Sequence, residues 1–151
     1  MRTVIHFNEV LLPADGSENG VRALQHAIEL VKLSGGTLLI CHVANVVSVI
    51  SGFDQIPSGS GYVSEQMAED LEEKGKEILE KLVRMVPADI PVKTIFEVGS
   101  PGPTLSAIAE KYNVDLIVMG SRGLGPLKGI FMGSVSSYIV SHAKCPVLIV
   151  K

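Results

Sequence analysis

The apolar residues of this chain fall into short runs of strand length that alternate with longer stretches of helical periodicity. Strands are predicted at residues 3–12, 37–44, 92–98, 116–119 and 146–150, and helices at 17–34, 62–85, 101–112 and 134–142. Alternating β and α segments are typical of a parallel sheet covered by helices on both faces. The pattern therefore predicts an α/β fold with five strands and four helices.

The first two helices have the clearest apolar stripes. Ser17 is placed to cap the first helix and Gly35 to end it. Its predicted inner stripe comprises Val21, Leu24, Ala27, Ile28 and Val31. In the second helix the stripe comprises Met67, Leu71, Ile78 and Leu82, and we interpret the surrounding charges as a solvated face. Residues 45–61, rich in Ser, Gly and Val without a period, are expected to form a mobile loop.

Length and composition indicate one domain, residues 1–151, in the cytoplasm. The chain is 46% apolar, yet its uninterrupted apolar runs are far shorter than the roughly 20 residues that span a bilayer. Residues 1–6 lead directly into a strand pattern and lack the features of a signal peptide. We therefore expect no membrane contact.

Charge and cysteine usage exclude other classes of partner. A net charge of −3 supplies no basic stripe, so nucleic acid is not an expected partner. Cys41 in a predicted core strand and Cys145 just before another do not form a disulfide pattern, and we expect two buried thiols. The histidines are scattered along the chain, at His6, His26, His42 and His142. A metal site is not expected.

A glycine-rich segment follows the fourth predicted strand. That strand ends at Gly120, and glycine recurs at positions 123, 125, 129 and 133. In α/β sheets ligands bind at the carboxyl edge, where glycine lets backbone N–H groups approach an anion. Gly133 and Ser134 open the last predicted helix, whose first N–H groups and dipole favour negative charge. The segment predicts a di- or triphosphate site, with a flexible connector as the alternative.

Side chains near this segment can add to the site. Arg122 can reach a phosphate or point to solvent, and both interpretations stay open. Ser134 and Ser136 can supply hydroxyl donors. Asp15 follows the first strand at the same edge, where it can accept from a ribose hydroxyl, help to hold Mg²⁺, or cap the first helix.

Two general phosphate-binding motifs do not match. A Walker loop fails because Gly120 and Gly125 are followed by Pro126 rather than lysine, and the dinucleotide pattern fails because Lys128 occupies the place of its third glycine.

The spacing Gly120-x2-Gly123-x9-Gly133-Ser134 instead resembles the ATP-binding signature of the universal stress protein family. Further matches are the strand ends at residues 11–17 and 41–43 and the closing residues 145–150.

The resemblance implies a fold, a ligand and a set of contacts. The fold is an open five-stranded parallel sheet of order 3-2-1-4-5, Rossmann-like and similar to adenine nucleotide alpha hydrolases. The ligand is ATP, or AMP or ADP, with Mg²⁺ on the phosphates left open. Pro13 and Asp15 match the nucleoside end of the family's pocket, and the backbone at Val43 matches an adenine contact. The phosphate and ribose contacts match Met119, Gly120, Gly123, Gly133, Ser134, Val135 and Ser136, and Arg122 lies at a variable position of the signature.

The expected function is nucleotide binding without fast turnover in a regulatory stress-response module. Hydrolysis needs a positioned water, a group at the γ-phosphate and usually a well-held metal, whereas Asp15 is the one nearby carboxylate. The first alternative is a slow ATPase or a phosphotransferase that modifies its own Ser or Thr. The second is a dimeric interaction module that needs no nucleotide. A receiver-like signalling domain ranks last because residues 8–9 and 97–98 do not supply its acidic residues.

The closing strand, from Pro146 to Val150, is apolar and lies near the end of the chain. An unpaired edge there favours pairing with a second copy, and the resemblance implies the same contact. We therefore expect a homodimer through this strand, together with a protein partner that the sequence does not identify.

Overall fold

Strands and helices alternate along the chain in the computed structural model, which describes residues 5–45, 61–121 and 132–151. The elements are β1 (Glu9–Pro13), α1 (Glu18–Ser34), β2 (Thr37–Asn45), α2 (Gly61–Val83), β3 (Val92–Gly99), α3 (Pro101–Lys111), β4 (Leu116–Gly120), α4 (Ser134–His142) and β5 (Val147–Val150). Of the loop predicted at 45–61, the two end residues belong to β2 and α2, and residues 46–60 lie outside the described residues.

The strands form one parallel sheet in the order β3-β2-β1-β4-β5, which confirms the predicted order. β1 lies at the centre, where Leu11 is opposite Leu39 of β2 on one side and Ile117 of β4 on the other. β3 and β5 are the two edges. The direction of chain travel across the sheet reverses between β1 and β4, and this reversal positions the candidate site.

Helices cover both faces of the sheet, as predicted. Side chains alternate between the faces along each strand, so Val10 and Leu12 pack under α1 and α2, whereas Leu11 packs under α3 and α4. On the first face α1 buries Ala23, Leu24, Ala27, Ile28 and Val31, and α2 buries Leu79 and Leu82. The predicted stripes were therefore incomplete, because they omitted Ala23 and Leu79 and included Val21, which is half-buried.

The start of the first strand was predicted wrongly. β1 begins at Glu9 rather than at residue 3, and Ile5 is 78% exposed. The Asp115 carboxylate accepts the N–H groups of both Asn8 and Glu9 at 2.9 Å, just before β4 begins to pair with β1 at Leu116 and Val10. A residue 106 positions away along the chain thus binds the backbone groups at the entrance to the central strand.

Smaller differences occur at other ends. β5 begins at Val147 because Pro146 has no N–H to donate, although its carbonyl accepts from Ile117 at 3.0 Å. α2 ends at Val83, two residues before the predicted end, and β4 continues to Gly120. Cys41 is buried as expected, whereas Cys145 is half-buried because it lies just before an edge strand. Within the described residues, no helix is long and apolar enough to cross a membrane.

Candidate functional site

The point where the sheet order reverses creates a crevice at its carboxyl edge. β1 and β4 are parallel neighbours, but α1 leaves β1 towards one face and α4 follows β4 on the other. In open α/β sheets such a reversal opens a crevice outside the carboxyl ends of the strands, which is where ligands bind. Pro13, Asp15 and Gly120 all lie at this edge, as predicted.

The turn after β1 orients Asp15. Its Oδ1 accepts the Ser17 N–H at 2.9 Å, and Gly16 between them has a φ of 89°, which favours glycine. Ser17 is the N-cap residue of α1, but its own side chain makes no capping bond. Asp15 therefore bonds to the backbone of the N-cap residue, which agrees in part with the alternative that Asp15 caps the first helix. A carboxylate has about four acceptor sites, so this bond sets the orientation of Asp15 and leaves capacity for a ligand hydroxyl.

Val43 lies beyond the end of β1. The Cys41 carbonyl points towards β1 and accepts the Ala14 N–H at 2.8 Å. Backbone groups two residues apart in a strand point to the same side, so those of Val43 point the same way. β1 has ended there, because its last residue Pro13 is opposite Cys41. The backbone of Val43 therefore points towards the crevice and can bond to a planar base.

Gly120 allows α1 to pack against the end of β4. A Cβ at Gly120 would lie 2.8 Å from Asn19 Cβ and 3.2 Å from its backbone carbonyl carbon and oxygen. Contacts this short exclude a larger residue without movement of α1. Asn19 is a residue of the site that sequence reasoning missed, and its Oδ1 accepts a hydrogen bond from Arg22 Nη2 at 2.9 Å. The pattern of α1 offered no signal for it beyond its position in the first turn.

The two ends of the glycine-rich segment are held together at one carbonyl. The Ser121 carbonyl oxygen accepts the Gly133 N–H at 2.7 Å and the Ser136 hydroxyl at 2.8 Å. The Ser121 N–H donates in turn to the Val150 carbonyl at 2.9 Å. We call Ser121, Gly133 and Ser136 the loop clamp. It places the first turn of α4 directly beside the end of β4.

Ser136 was expected to donate its hydroxyl to a phosphate, but in the loop clamp it donates within the protein. This side chain is 2% exposed, and its hydroxyl oxygen lies 2.8 Å from the Ser121 carbonyl and 3.1 Å from the Gly133 carbonyl, so its proton is not available to a phosphate in this structure. The backbone at the helix start is different. The first bond of α4 runs from the Ser137 N–H to the Gly133 carbonyl at 3.0 Å. The N–H groups of residues 134–136 precede that bond and are the donors that a helix start offers to an anion.

The remaining predicted contacts fall into three groups. The Met119 side chain is buried in the core with Leu11 and Ile117, so its backbone is the part that can face a ligand. The Val135 side chain packs against the same core, whereas Ser134 is exposed. Arg122 and Gly123 lie outside the described residues, as do Lys128 and the intervening glycines.

Other polar features lie away from this edge. A cleft of about 360 Å³ is lined by α3, the end of α4 and the residues before β5, among them Asn113, His142 and Cys145. Because these residues precede β4 and β5, the cleft lies at the amino edge of the sheet and is separate from the crevice. Among the residues that the structure describes, no group of three or more His, Cys, Asp or Glu is arranged to hold a metal ion.

The two thiols differ from ordinary cysteine. Burial raises the pKa of Cys41 to about 12, and the Glu97 carboxylate adds to the rise. Burial also raises the pKa of Cys145, with a smaller contribution from Asp115. Both groups are therefore protonated thiols at neutral pH, and neither has the lowered pKa of a nucleophilic cysteine.

Sequence comparison relates this chain to one family. A sequence profile of the universal stress protein family matches residues 6–151. Universal stress protein MJ0531 of Methanocaldococcus jannaschii is 33% identical over 146 residues, which cover 96% of this chain and 82% of that protein. Universal stress protein Sll1388 of Synechocystis sp. is 30% identical over 151 residues, which cover 96% of this chain and 98% of that protein.

Solved structures share the fold. Protein MJ0577 of Methanocaldococcus jannaschii is 29% identical, with a TM-score of 0.74 and 97% of each chain covered. A universal stress protein family protein of Arabidopsis thaliana, solved with AMP bound, is 22% identical, with a TM-score of 0.66 and coverage of 95% and 91%. A universal stress protein in complex with cAMP is 20% identical, with a TM-score of 0.62 and coverage of 97% and 98%.

Proposed function

This chain belongs to the universal stress protein family, and we propose that it binds an adenine nucleotide between β1 and β4 as a regulatory stress-response protein. We further propose that residues 1–151 act as one domain in the cytoplasm. Two proteins of the same fold have AMP or cAMP bound in their solved structures. At their low identity those two proteins support the fold, so the argument for binding rests on the residues of this chain.

The loop clamp is the observation that supports the proposal best. It holds the end of β4 and the start of α4 together, so the glycine-rich segment begins and ends beside the N–H groups of residues 134–136. Uncharged backbone donors at a helix start favour a phosphate more than a neutral ligand.

The positions of the other residues suggest an orientation for the nucleotide. The phosphates lie over Gly120 and the start of α4, and the ribose hydroxyls bond to Asp15. The adenine ring lies against the open backbone of Val43. The family resemblance implies each of these contacts, and the position of each residue along the carboxyl edge fits it. Together the contacts describe ATP, ADP or AMP.

We propose binding without fast turnover. Asp15 is the carboxylate that the described residues place at the crevice, and one of its oxygens already accepts from Ser17. A bound nucleotide of long lifetime suits regulation, because its presence or phosphate number can be sensed by a protein partner. If Mg²⁺ accompanies the phosphates, Asp15 is the candidate side-chain ligand, and the metal would supply charge neutralisation there.

The test combines mass spectrometry of nucleotide released from purified protein with calorimetric titration of ATP, ADP, AMP and cAMP. Gly133→Val should abolish binding because its side chain covers the helix start. Ser141→Val is the matched control, since it adds the same residue at the exposed far end of α4. Absence of any nucleotide binding by wild type would refute the proposal. Phosphate appearing on Ser or Thr after incubation with ATP would instead favour the autophosphorylating alternative.

We also propose a homodimer through β5. This strand pairs with β4 on one side and is an edge of the sheet on the other. Leu148 in β5 and Val140 on the adjacent α4 are exposed apolar residues. No described strand pairs with the outer side of β5, and an apolar edge strand favours pairing with a second copy of the same strand.

A further inference from the structure

His42 contacts the turn that carries the nucleoside end of the crevice. Its Nδ1 lies 2.7 Å from the Ala14 carbonyl oxygen. A carbonyl oxygen can only accept, so Nδ1 must carry the hydrogen, and the neutral ring is the Nδ1–H tautomer. Sequence reasoning treated His42 as one of several scattered histidines, because nothing in the local pattern links it to a residue 28 positions earlier.

The ring of His42 is held in place by its neighbours. It stacks on Phe96 of β3, with the ring centroids 6.1 Å apart and the planes 23° from parallel. Gly75 of α2 covers the same region, since a Cβ there would lie 3.2 Å from His42 Cδ2. This packing opposes rotation of the ring, so the donor stays directed at Ala14.

Both backbone polar groups of Ala14 are bonded by residues of β2. Its N–H donates to the Cys41 carbonyl at 2.8 Å, and its carbonyl accepts from His42. Ala14 is 6% exposed, so water has little access to replace a lost donor. β2 thus fixes both peptide groups of Ala14, which lie between Pro13 and Asp15. The bond from the Ser17 N–H to the Asp15 carboxylate then fixes the turn that follows.

We propose that His42 is a positioning residue for ribose recognition. It does not touch the nucleotide. Its Nδ1–H bond to Ala14 holds the turn in the geometry that directs the Asp15 carboxylate at the ribose hydroxyls. This inference rests on the proposed nucleotide-binding function and adds to it a determinant of specificity for ribose.

Three variants separate the donor from the ring. His42→Phe keeps a ring that can stack on Phe96 and removes the donor. His42→Asn loses the ring but keeps a donor two bonds from Cβ, as Nδ1 is in histidine. Asp15→Ala removes the group that His42 is proposed to position. Circular dichroism and thermal melting establish that each variant is folded, and His42→Leu, which also lacks a donor, replaces His42→Phe if the latter is not.

Calorimetry with ATP and with 2′,3′-dideoxy-ATP reads out ribose recognition. His42→Phe should weaken ATP binding about 10-fold, the usual scale for loss of one hydrogen bond, which here is the bond from the ribose to a displaced Asp15. It should leave the affinity for the dideoxy nucleotide within about twofold, because without ribose hydroxyls the orientation of Asp15 no longer matters. His42→Asn should restore most of the preference for ATP. His42→Phe added to Asp15→Ala should produce no further loss.

The outcomes distinguish this inference from the proposed function. If wild type binds no nucleotide, both are wrong. If wild type binds ATP but His42→Phe weakens both ligands equally, or adds its full effect to Asp15→Ala, the positioning role alone is wrong. Nitrogen-15 NMR of the histidine rings is an independent test without ligand. A neutral His42 with its proton on Nε2 would also overturn the inference.

Discussion

The hydroxyl of Ser136 lies 2.8 Å from the Ser121 carbonyl oxygen and donates to it across 15 positions of sequence. Together with the Gly133 N–H, which reaches the same oxygen at 2.7 Å, it closes the glycine-rich segment at its base. The site therefore depends on a hydrogen bond within the protein as well as on bonds to a ligand.

Ser136→Ala tests the loop clamp. Removing the buried hydroxyl should lower the free energy of unfolding by about 1 kcal/mol, because Ser121 keeps one of its two donors. Nucleotide affinity should fall as well, since the start of α4 is held less firmly beside β4. Urea unfolding and calorimetry measure the two effects.

Ser141→Ala is the matched control for that experiment. Ser141 lies on the same helix, is exposed, and bonds to the Ser137 carbonyl at 3.0 Å. Its removal should change stability by less than about 0.5 kcal/mol and leave affinity unchanged. Equal effects of the two substitutions would show that the clamp has no special role.

Gly120→Ala should destabilise the fold by about 1–3 kcal/mol, the typical cost of adding a methyl group to a packed interior. The added Cβ would meet Asn19 Cβ at 2.8 Å, and two backbone atoms of Asn19 lie close behind it. Relief requires α1 to shift away from β4, which also opens the crevice. Thermal melting measures the loss of stability. A melting temperature equal to that of wild type would contradict the prediction and would mean that α1 moves without a cost in stability.

Cys41 makes the free energy of unfolding depend on pH in the alkaline range. The folded thiol keeps its proton up to about pH 12, whereas in the unfolded chain it ionises near its ordinary value of 9.0. Between these values the unfolded state binds fewer protons, so the free energy of unfolding falls by up to about 1.4 kcal/mol per pH unit. This contribution is complete below pH 9 and is lost as the pH rises towards 12.

Urea unfolding of wild type and Cys41→Ala at pH 8, 9 and 10 isolates that contribution. The variant should be less stable at pH 8 because it leaves a small cavity, but its stability should decline less steeply above pH 9. Other groups titrate in both proteins, so the difference between the two slopes is the quantity of interest. Parallel curves would contradict the assignment to Cys41.

Leu148→Lys should convert the proposed homodimer to monomer. The side chain is 37% exposed on edge strand β5, and a lysine there opposes pairing with a second copy. Val98→Lys, at a 48% exposed position of the other edge strand, is the matched control and should leave the dimer intact. Sedimentation of the three proteins at micromolar concentration makes the comparison. A monomeric wild type would refute the dimer.

Much of the fold could be read from local patterns. Both bounds of α4 were predicted correctly, because Gly133 and Ser134 mark its start and the helical spacing ends at His142. The end of α1 was predicted because glycine commonly ends a helix, and Gly35 indeed has a left-handed φ of 71°. Each of these signals lies within a few residues of the feature it predicts.

The resemblance supplied the strand order and named the residues of the carboxyl edge, and the structure places the described ones there. It did not indicate that the Ser136 hydroxyl is already bonded, or that the Met119 side chain belongs to the core. Whether a side chain packs or bonds within the protein or contacts a ligand depends on its neighbours in the fold, and spacing along the chain does not encode those neighbours.

The sequence by itself determined the alternation of strands and helices and the position of the glycine-rich segment after β4, because periodicity and turn chemistry are local properties. The tertiary structure alone decided where β1 begins, what packs on Gly120 and which residue holds Ala14. Asp115, Asn19 and His42 act there on residues at least 28 positions away. Such contacts arise from the pairing of strands and the packing of helices on the sheet, so they exist only once the chain has folded.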